Sequence, residues 1–251
     1  MAAEEAIVLV GGLGTRLRAV VSDVPKPLAP VAGRPFLAWV LDHLAGNGIR
    51  RVVLATGHMA AVVETVVGSQ WSGMEVAYSL EDAPLGTGGA VRLAATRLSG
   101  DSAHVLNGDT FLRYPLAGLE QETRLRGALA GVALARVDDV ARYGAVEVAA
   151  GKVTAFREKG GQGPGLINAG SYFLTAGALD ALPRQEAFSL ETGFLHPQAG
   201  SGGLAAFTGT SGFIDIGVPE DYARAQSMFG QPASSHTVTS LLERTISRVS
   251  P

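Results

Sequence analysis

The 251-residue chain contains no cysteine. That excludes disulfides, thiolate-ligated zinc and a thiol nucleophile. It has little charge of either sign to spare. Twenty Lys and Arg against 23 Asp and Glu leave a net −3, so no basic field draws it to nucleic acid. No apolar run approaches the roughly 20 residues that span a bilayer. There is no internal repeat and no low-complexity tract. The histidines (His43, His58, His104, His196 and His236) lack metal-ligand spacing. The acidic opening, MAAEEA, lacks the charged-then-apolar pattern of a signal peptide, so a cytoplasmic location is expected. What is present is 47% hydrophobic and 17% charged residues, the balance of a folded chain able to bury one sizeable core.

The first half alternates short apolar runs with helical patterns. Residues 6–10, 52–55, 76–79 and 103–106 read as strands. The first, AIVLV, is continuously apolar and ends in glycines, as buried parallel strands do. Helices are expected at 35–47, 60–67 and 89–98, with Pro35 opening the first and Gly48 closing it. This alternation predicts a parallel sheet covered on both faces. The second half is more mixed. Helices are expected at 116–122, 188–196 and 220–228, and strands at 128–135 and 169–174. Residues 145–148 and 153–156 read as a hairpin able to cap a site. A Gly, Pro and Ser linker at 230–235 precedes a short closing helix, so the domain is expected to end near 229. Trp39 reads as helix core and Trp71 as a packed loop anchor.

The strongest chemical signal follows the first strand: Gly11-Gly12-Leu13-Gly14-Thr15-Arg16. A glycine turn after a strand offers bare backbone N–H groups to an anion, most often phosphate. It is not a Walker loop, because Gly-Lys-Ser/Thr is missing. Leu17 takes the third glycine place of a dinucleotide fingerprint, and the second strand ends in Ala55-Thr56-Gly57-His58 without the ribose-binding acid. Alone, the turn is equally a tight structural bend. Pro25-Lys26-Pro27 adds to it. The two prolines are expected to hold Lys26 extended. Arg16 and Lys26 then place two cations beside the turn, suited to triphosphate oxygens and a leaving pyrophosphate.

Gly-Gly-x-Gly-Thr-Arg, eight residues and then Pro-Lys-Pro resembles the N-terminal signature of the sugar-phosphate nucleotidyltransferases. The resemblance continues in order through Leu85-Gly86-Thr87-Gly88-Gly89-Ala90, Asn107-Gly108-Asp109, Arg142-Tyr143-Gly144, Glu158-Lys159, Asn168-Ala169-Gly170 and Asp215-Ile216-Gly217, covering about residues 6–228. It implies an α/β, Rossmann-like (GT-A-like) fold with a mixed, mostly parallel sheet, helices on both faces and a small hairpin cap. It implies an enzyme that joins a nucleoside triphosphate to a sugar 1-phosphate and releases pyrophosphate, with Mg²⁺ or Mn²⁺. Arg16, Lys26 and Asp109 would carry the catalysis. Gly11, Gly12, Gly14, Thr15, Gly86, Thr87 and Gly88 would bind nucleotide. Asp109 and Asp215 would hold the metal. Gly144, Glu158, Lys159, Asn168 and Gly170 would bind the sugar phosphate, Lys159 as a point charge and Glu158 on hydroxyls. The family usually places proline after Glu-Lys; here Gly160-Gly161-Gln162-Gly163 follows.

Glu81 reads two ways. A carboxylate can accept both the N1–H and N2–H₂ donors of guanine, or it can be an exposed charge at a strand end. Within the family, Asp23-Val24-Pro25-Lys26-Pro27-Leu28-Ala29-Pro30, Arg142-Tyr143-Gly144 and Phe188-Ser189-Leu190-Glu191 resemble the D-glycero-α-D-manno-heptose 1-phosphate guanylyltransferases. GTP and a heptose 1-phosphate are therefore the expected substrates, with a homo-oligomer possible. A hexose 1-phosphate nucleotidyltransferase (mannose guanylyltransferase, or a uridylyl- or thymidylyltransferase) is the alternative within the class. An NAD(P) oxidoreductase and an inactive nucleotide-sugar-binding subunit are the alternatives outside it.

Overall fold

The computed structural model describes residues 2–12 and 24–230. Gly14, Thr15 and Arg16 lie outside the described residues, as does the expected C-terminal linker and helix apart from Gly230.

The chain opens with β1 (Glu5–Leu9). A 3-10 turn follows at Lys26–Leu28, then a small hairpin of β2 (Pro30–Val31) and β3 (Arg34–Pro35). Next come α1 (Phe36–Gly46), β4 (Arg51–Thr56), α2 (Ala60–Val67), β5 (Gln70–Trp71), β6 (Met74–Leu80), α3 (Gly86–Ala95) and β7 (Ala103–Asn107). The second half holds β8 (Thr110–Arg113), α4 (Leu116–Leu125), β9 (Ala130–Val137), β10 (Val146–Ala149), β11 (Lys152–Phe156) and β12 (Gly165–Leu174). It closes with α5 (Ala176–Asp180), a π turn at Glu191–Leu195 running into α6 (His196–Gln198), β13 (Leu204–Phe207), β14 (Ser211–Asp215) and α7 (Pro219–Phe229).

One mixed ten-stranded sheet has the order β10-β11-β13-β9-β12-β7-β1-β4-β6-β5. The expected parallel core is β7-β1-β4-β6. Alternation along β1 sends Ala6 and Val8 to one hydrophobic core and Ile7 to the other, because successive strand side chains point to opposite faces. Helices α1, α2 and α7 pack on the first core, and α3 and α5 on the second. In α1, Phe36, Leu37, Val40, Leu41 and Leu44 are all buried along one stripe. Each contributes roughly 2 kcal/mol by leaving water. Pro35 caps this helix in extended geometry and Gly48, at φ +85°, lies just past its end. No helix among the described residues is long and apolar enough to cross a membrane.

Three expectations are corrected. The hairpin β10–β11 exists, with Ala150 and Gly151 both at positive φ in its turn. Backbone pairing of Lys152 with Ala205 makes it the edge of the main sheet, not a separate cap. Trp71 lies in β5 and donates its indole N–H to Asp42 at 2.8 Å, so it is a strand residue and not a loop anchor. Lys26 opens the 3-10 turn and is not extended; Pro25 is the extended residue, at φ −55° and ψ 144°. Proline needs no N–H partner in the first turn of a helix, and burial of Pro27 and Leu28 draws the turn inward.

Candidate active site

Parallel strands β7, β1, β4 and β6 end on one side of the sheet. The chain leaves β1 toward β4 and later returns to β7 on the other flank of β1. The crevice at such a switch is where open α/β sheets bind ligands. Here it is a cavity of about 270 Å³ lined by Gly11, Gly12, Lys26, Thr87, Asn107 and Asp109 among others. A second cavity of about 490 Å³ shares Gly11, Gly12 and Thr87 and adds His58, Glu81 and Gly86.

The charged centre is compact. Lys26 Nζ lies 2.5 Å from Asp109 Oδ2 and 3.4 Å from Asp215 Oδ1. The two acids are far apart in sequence, and a two-stranded sheet unites them: β14 pairs antiparallel with β8, setting Asp215 opposite Thr110. The Ile216 N–H donates to the Asp109 carbonyl at 3.1 Å. The Gly217 N–H donates to Asp215 Oδ1 at 2.7 Å, and a Cβ at Gly217 would stand 2.8 Å from that oxygen and 3.0 Å from Lys26 Nζ. A side chain at this position would crowd both the Asp215 carboxylate and the Lys26 ammonium. Gly108 has a similar role, since a Cβ there would meet the Leu9 carbonyl at 2.8 Å. The two carboxylates already share one cation, the lysine ammonium. Mg²⁺ commonly takes one or two carboxylates from a protein and completes its shell with phosphate and water, so this donor set fits a divalent ion. Among the described residues no group of three or more acids or histidines is placed to hold a metal ion.

The glycine turns divide into open and filled positions. A Cβ at Gly12 would meet nothing within 4 Å among the described residues, and Gly12 lines both cavities. Gly86 sits at φ +68°, and a Cβ there would come within 2.5 Å of the Phe188 carbonyl. Gly88 donates its N–H to that carbonyl at 2.9 Å, and a Cβ would enter the Phe188 ring. Gly88 therefore packs against protein and not against the cavity. Gly86 and Thr87 carry the lining. Glu81 follows β6 directly, with Gly11 close by: a Cβ on Gly11 would lie 3.4 Å from Glu81 Oε1. Glu81 accepts the Leu85 N–H at 3.0 Å. Burial raises its carboxyl above the ordinary range, and the Leu85 bond pulls it part of the way back.

The expected sugar-phosphate residues are less closely gathered. Asn168 and Gly170 form a bulge in β12, where pairing to β9 shifts between Asn168 and Ser171. Gly170 has φ +67°, and a Cβ would lie 2.5 Å from the Asn107 amide nitrogen. The close neighbour that glycine admits here is Asn107, from the Asn-Gly-Asp turn. Gly144, at φ +80°, is likewise filled by protein: a Cβ would meet the Arg157 carbonyl at 2.5 Å. Glu158 and Lys159 are exposed on the loop after β11, and neither lines the cavity holding Lys26 and Asp109.

Several residues with no assigned role take part. Asp221, in the first turn of α7, is buried and accepts from Arg142 at 2.6 Å and from the Tyr143 hydroxyl at 3.4 Å. This ties the Arg-Tyr-Gly turn to the helix that follows Asp215. Tyr222 and Gln226 of the same helix donate to the Pro30 carbonyl at 2.6 and 2.8 Å, bracing the segment after Lys26. Tyr172 is fully buried and bonded to both Asn168 and Glu191. The available signals were weak: Tyr172 follows the Asn-Ala-Gly segment by two residues, and Glu191 closes the Phe-Ser-Leu-Glu segment.

Comparison with known proteins accords with this geometry. The nucleotidyl transferase family model matches residues 5–231. The D-glycero-α-D-manno-heptose 1-phosphate guanylyltransferase of Aneurinibacillus thermoaerophilus is 39% identical, over 88% of this chain and 96% of the relative. The enzyme of that name from Campylobacter jejuni is also 39% identical, over 87% of this chain and 96% of the relative. The crystal structure of HddC from Yersinia pseudotuberculosis complexed with GMP-PN superposes with a TM-score of 0.79 at 33% identity, covering 90% of this chain and all of HddC. A strand-end crevice holding a lysine between two aspartates accords with these relatives: the chain belongs to the nucleotidyl transferase family and is a nucleotidyltransferase.

Proposed function

We propose that the enzyme transfers GMP from GTP to D-glycero-α-D-manno-heptose 1-phosphate, forming GDP-heptose and pyrophosphate. The observation that carries this reading is the Lys26 ammonium held between Asp109 and Asp215 at the mouth of the Gly11-Gly12 turn. A sugar phosphate oxygen forms the new bond to the α-phosphorus while the α–β bridging bond breaks, and pyrophosphate leaves with the electron pair. Positioning and charge neutralisation dominate such reactions. The Gly11 and Gly12 backbone receives phosphate. Lys26 offsets the charge that builds on the leaving group, with Arg16 assigned to the same task by the family resemblance. Asp109 and Asp215 would hold Mg²⁺ or Mn²⁺, which when bound supplies further neutralisation of the phosphates.

Base choice falls to Glu81, whose two oxygens match the paired donors of guanine. Guanine donating to both oxygens favours the ionised carboxylate and offsets the effect of burial. Thr87 borders the same cavity. Asn168 and Gly170 shape the sugar side, and Lys159 reaches the sugar phosphate from its exposed loop when substrate is bound. Pyrophosphate release is the direct test, with each of the four nucleoside triphosphates, a panel of sugar 1-phosphates, and Mg²⁺ present or chelated. The expected result is turnover with GTP and the heptose phosphate only when the metal is present. Glu81→Gln is expected to lose at least about tenfold of the preference for GTP, the value of one good hydrogen bond to a charged group. Equal rates with all four triphosphates in the wild type, or an unchanged preference in the variant, would overturn the base assignment.

A further inference from the structure

One carboxylate links the nucleotide turn to the sugar strand. We propose that Glu191 is a positioning residue that couples binding at the Gly86-Thr87 turn to binding at the Asn168-Gly170 bulge. This rests on the transferase reading above and names the part of that site that makes one substrate's affinity depend on the other. Glu191 Oε2 accepts from the Thr87 hydroxyl at 2.8 Å and from the Ser189 hydroxyl at 2.9 Å. Its Oε1 accepts from the Tyr172 hydroxyl at 3.1 Å. Tyr172 in turn accepts from the Asn168 amide nitrogen at 3.0 Å, and the Asn168 amide oxygen accepts the Gly170 N–H at 3.0 Å.

The direction of every proton in this chain follows from its centre. An ionised carboxylate only accepts, so Thr87, Ser189 and Tyr172 must all donate to it. The Thr87 oxygen is then left to accept, and it does so from the Leu190 N–H at 2.8 Å. Tyr172 has spent its one proton and can only accept from Asn168. That fixes which end of the Asn168 amide faces Gly170 and so sets the bulge. Gly170 packs directly on Asn107, which shares the cavity with Thr87 and Asp109. The hydrogen bonds therefore run without a break from Thr87 to Gly170, and Asn107, against which Gly170 packs, lines the same cavity as Thr87. Tyr172 is fully buried, and its hydroxyl pKa is pushed well above the usual tyrosine value, by burial first and by the Glu191 charge second. The π turn that carries Glu191 is a local departure from helix, closed by the His196 N–H on the Glu191 carbonyl, and such turns gather at functional sites. A second set of bonds locks the carrier in place: the Phe188 N–H donates to the Leu85 carbonyl at 3.0 Å and the Gly88 N–H to the Phe188 carbonyl. A ligand that shifts Thr87 thus moves the acceptor on which Tyr172 and Asn168 depend.

Glu191→Gln breaks the directionality while keeping the shape. The amide has one donor end, so either Tyr172 or the Thr87–Ser189 pair must reverse its proton. Tyr172→Phe cuts the chain at a second point and keeps the ring. Calorimetry with α,β-methylene GTP and Mg²⁺, with and without saturating heptose 1-phosphate, measures the coupling without turnover. The wild type is expected to bind the analogue at least about fivefold more tightly with the sugar phosphate present, the lower end of ordinary allosteric coupling. Both variants are expected to fall below twofold, with the sugar phosphate KM rising more than kcat falls. A purely structural role would lower the melting temperature and leave the coupling intact, which would overturn the proposal. Wild type without coupling, or Tyr172→Phe with full coupling, would also overturn it; the phenylalanine variant decides if the glutamine variant fails to fold. No binding of the analogue to wild type would instead contradict the transferase reading itself.

Discussion

The parallel strands β7, β1, β4 and β6 and the strands β12 and β14 supply the site in different ways. In the parallel block each proposed site residue follows closely on a strand end: Gly11 on β1, Glu81 on β6 and Asp109 on β7. The sheet alone brings these ends together. In the other group Asn168 and Tyr172 come from within a strand, and Asp215 ends a strand that pairs with β8 outside the main sheet. Their positions rest on a bulge, a two-stranded pairing and the docking of α7. In the proposed reaction, charge and phosphate chemistry falls to residues that the fold delivers locally, and substrate placement to residues held by contacts between distant segments. Substitutions in the first group should remove chemistry at little cost to stability. Those in the second should alter geometry and stability together.

The largest expected effect is on the local side. Asp109→Asn keeps the shape of the turn but removes a charge, and kcat should fall roughly 10³-fold with the melting temperature nearly unchanged. A steady-state assay beside a thermal melt checks both. Gly170→Ala sharpens the contrast from the other side. The new methyl meets Asn107 at a positive φ, so stability should fall by about 1–3 kcal/mol and kcat/KM by roughly 10²-fold through misplacement. Gln226→Ala removes that side chain's bonds to Pro30 and Ala32 and leaves the Tyr222 bond to Pro30 in place. It should cost about 1–2 kcal/mol in chemical denaturation while kcat changes less than about threefold. A large loss of kcat in that variant would blur the division.

The smallest effect lies outside the site. His104 is buried against Phe173, and burial lowers its pKa to about 4. The unfolded chain therefore binds this proton first as pH falls below 6.5. The stability contribution is present above pH 6.5 and is lost progressively toward pH 4. His104→Leu should flatten the pH dependence of the melting temperature over that window, measured against the wild type.

Much of the parallel block was legible in the sequence. The helix expected at 60–67 matches α2 residue for residue. The strands expected at 6–10 and 103–106 match β1 and β7 within one residue at each end, because apolar runs followed by glycine punctuate clearly. The pairing of β8 with β14 was not legible. Each is short, and nothing local signals a partner so far along the chain. For the same reason the meeting of Asp109 and Asp215 followed from family resemblance and not from spacing. The Lys26 turn differs from the extended path expected because Pro27 fits the first turn of a 3-10 helix and is buried with Leu28. Gly144 was expected to let backbone approach the sugar, and the group its missing Cβ admits is the Arg157 carbonyl; at Gly88, expected in the base-binding turn, it is the Phe188 ring. A glycine pattern shows where a close approach occurs but not which group approaches. The Glu191 network was hidden because a carboxylate in a half-buried turn carries no periodic signal.

The shared cation position between the two distant aspartates can be measured directly by titrating Mn²⁺ in the presence of GTP and following the ion by electron paramagnetic resonance. Wild-type protein should bind the ion with nucleotide, and Asp109→Asn and Asp215→Asn should each weaken that binding at least about tenfold, a loss of about 1.4 kcal/mol. Unchanged Mn²⁺ affinity in Asp215→Asn would mean that the strand pairing brings this acid beside Lys26 for structure alone, and the convergence described here would not be a metal site.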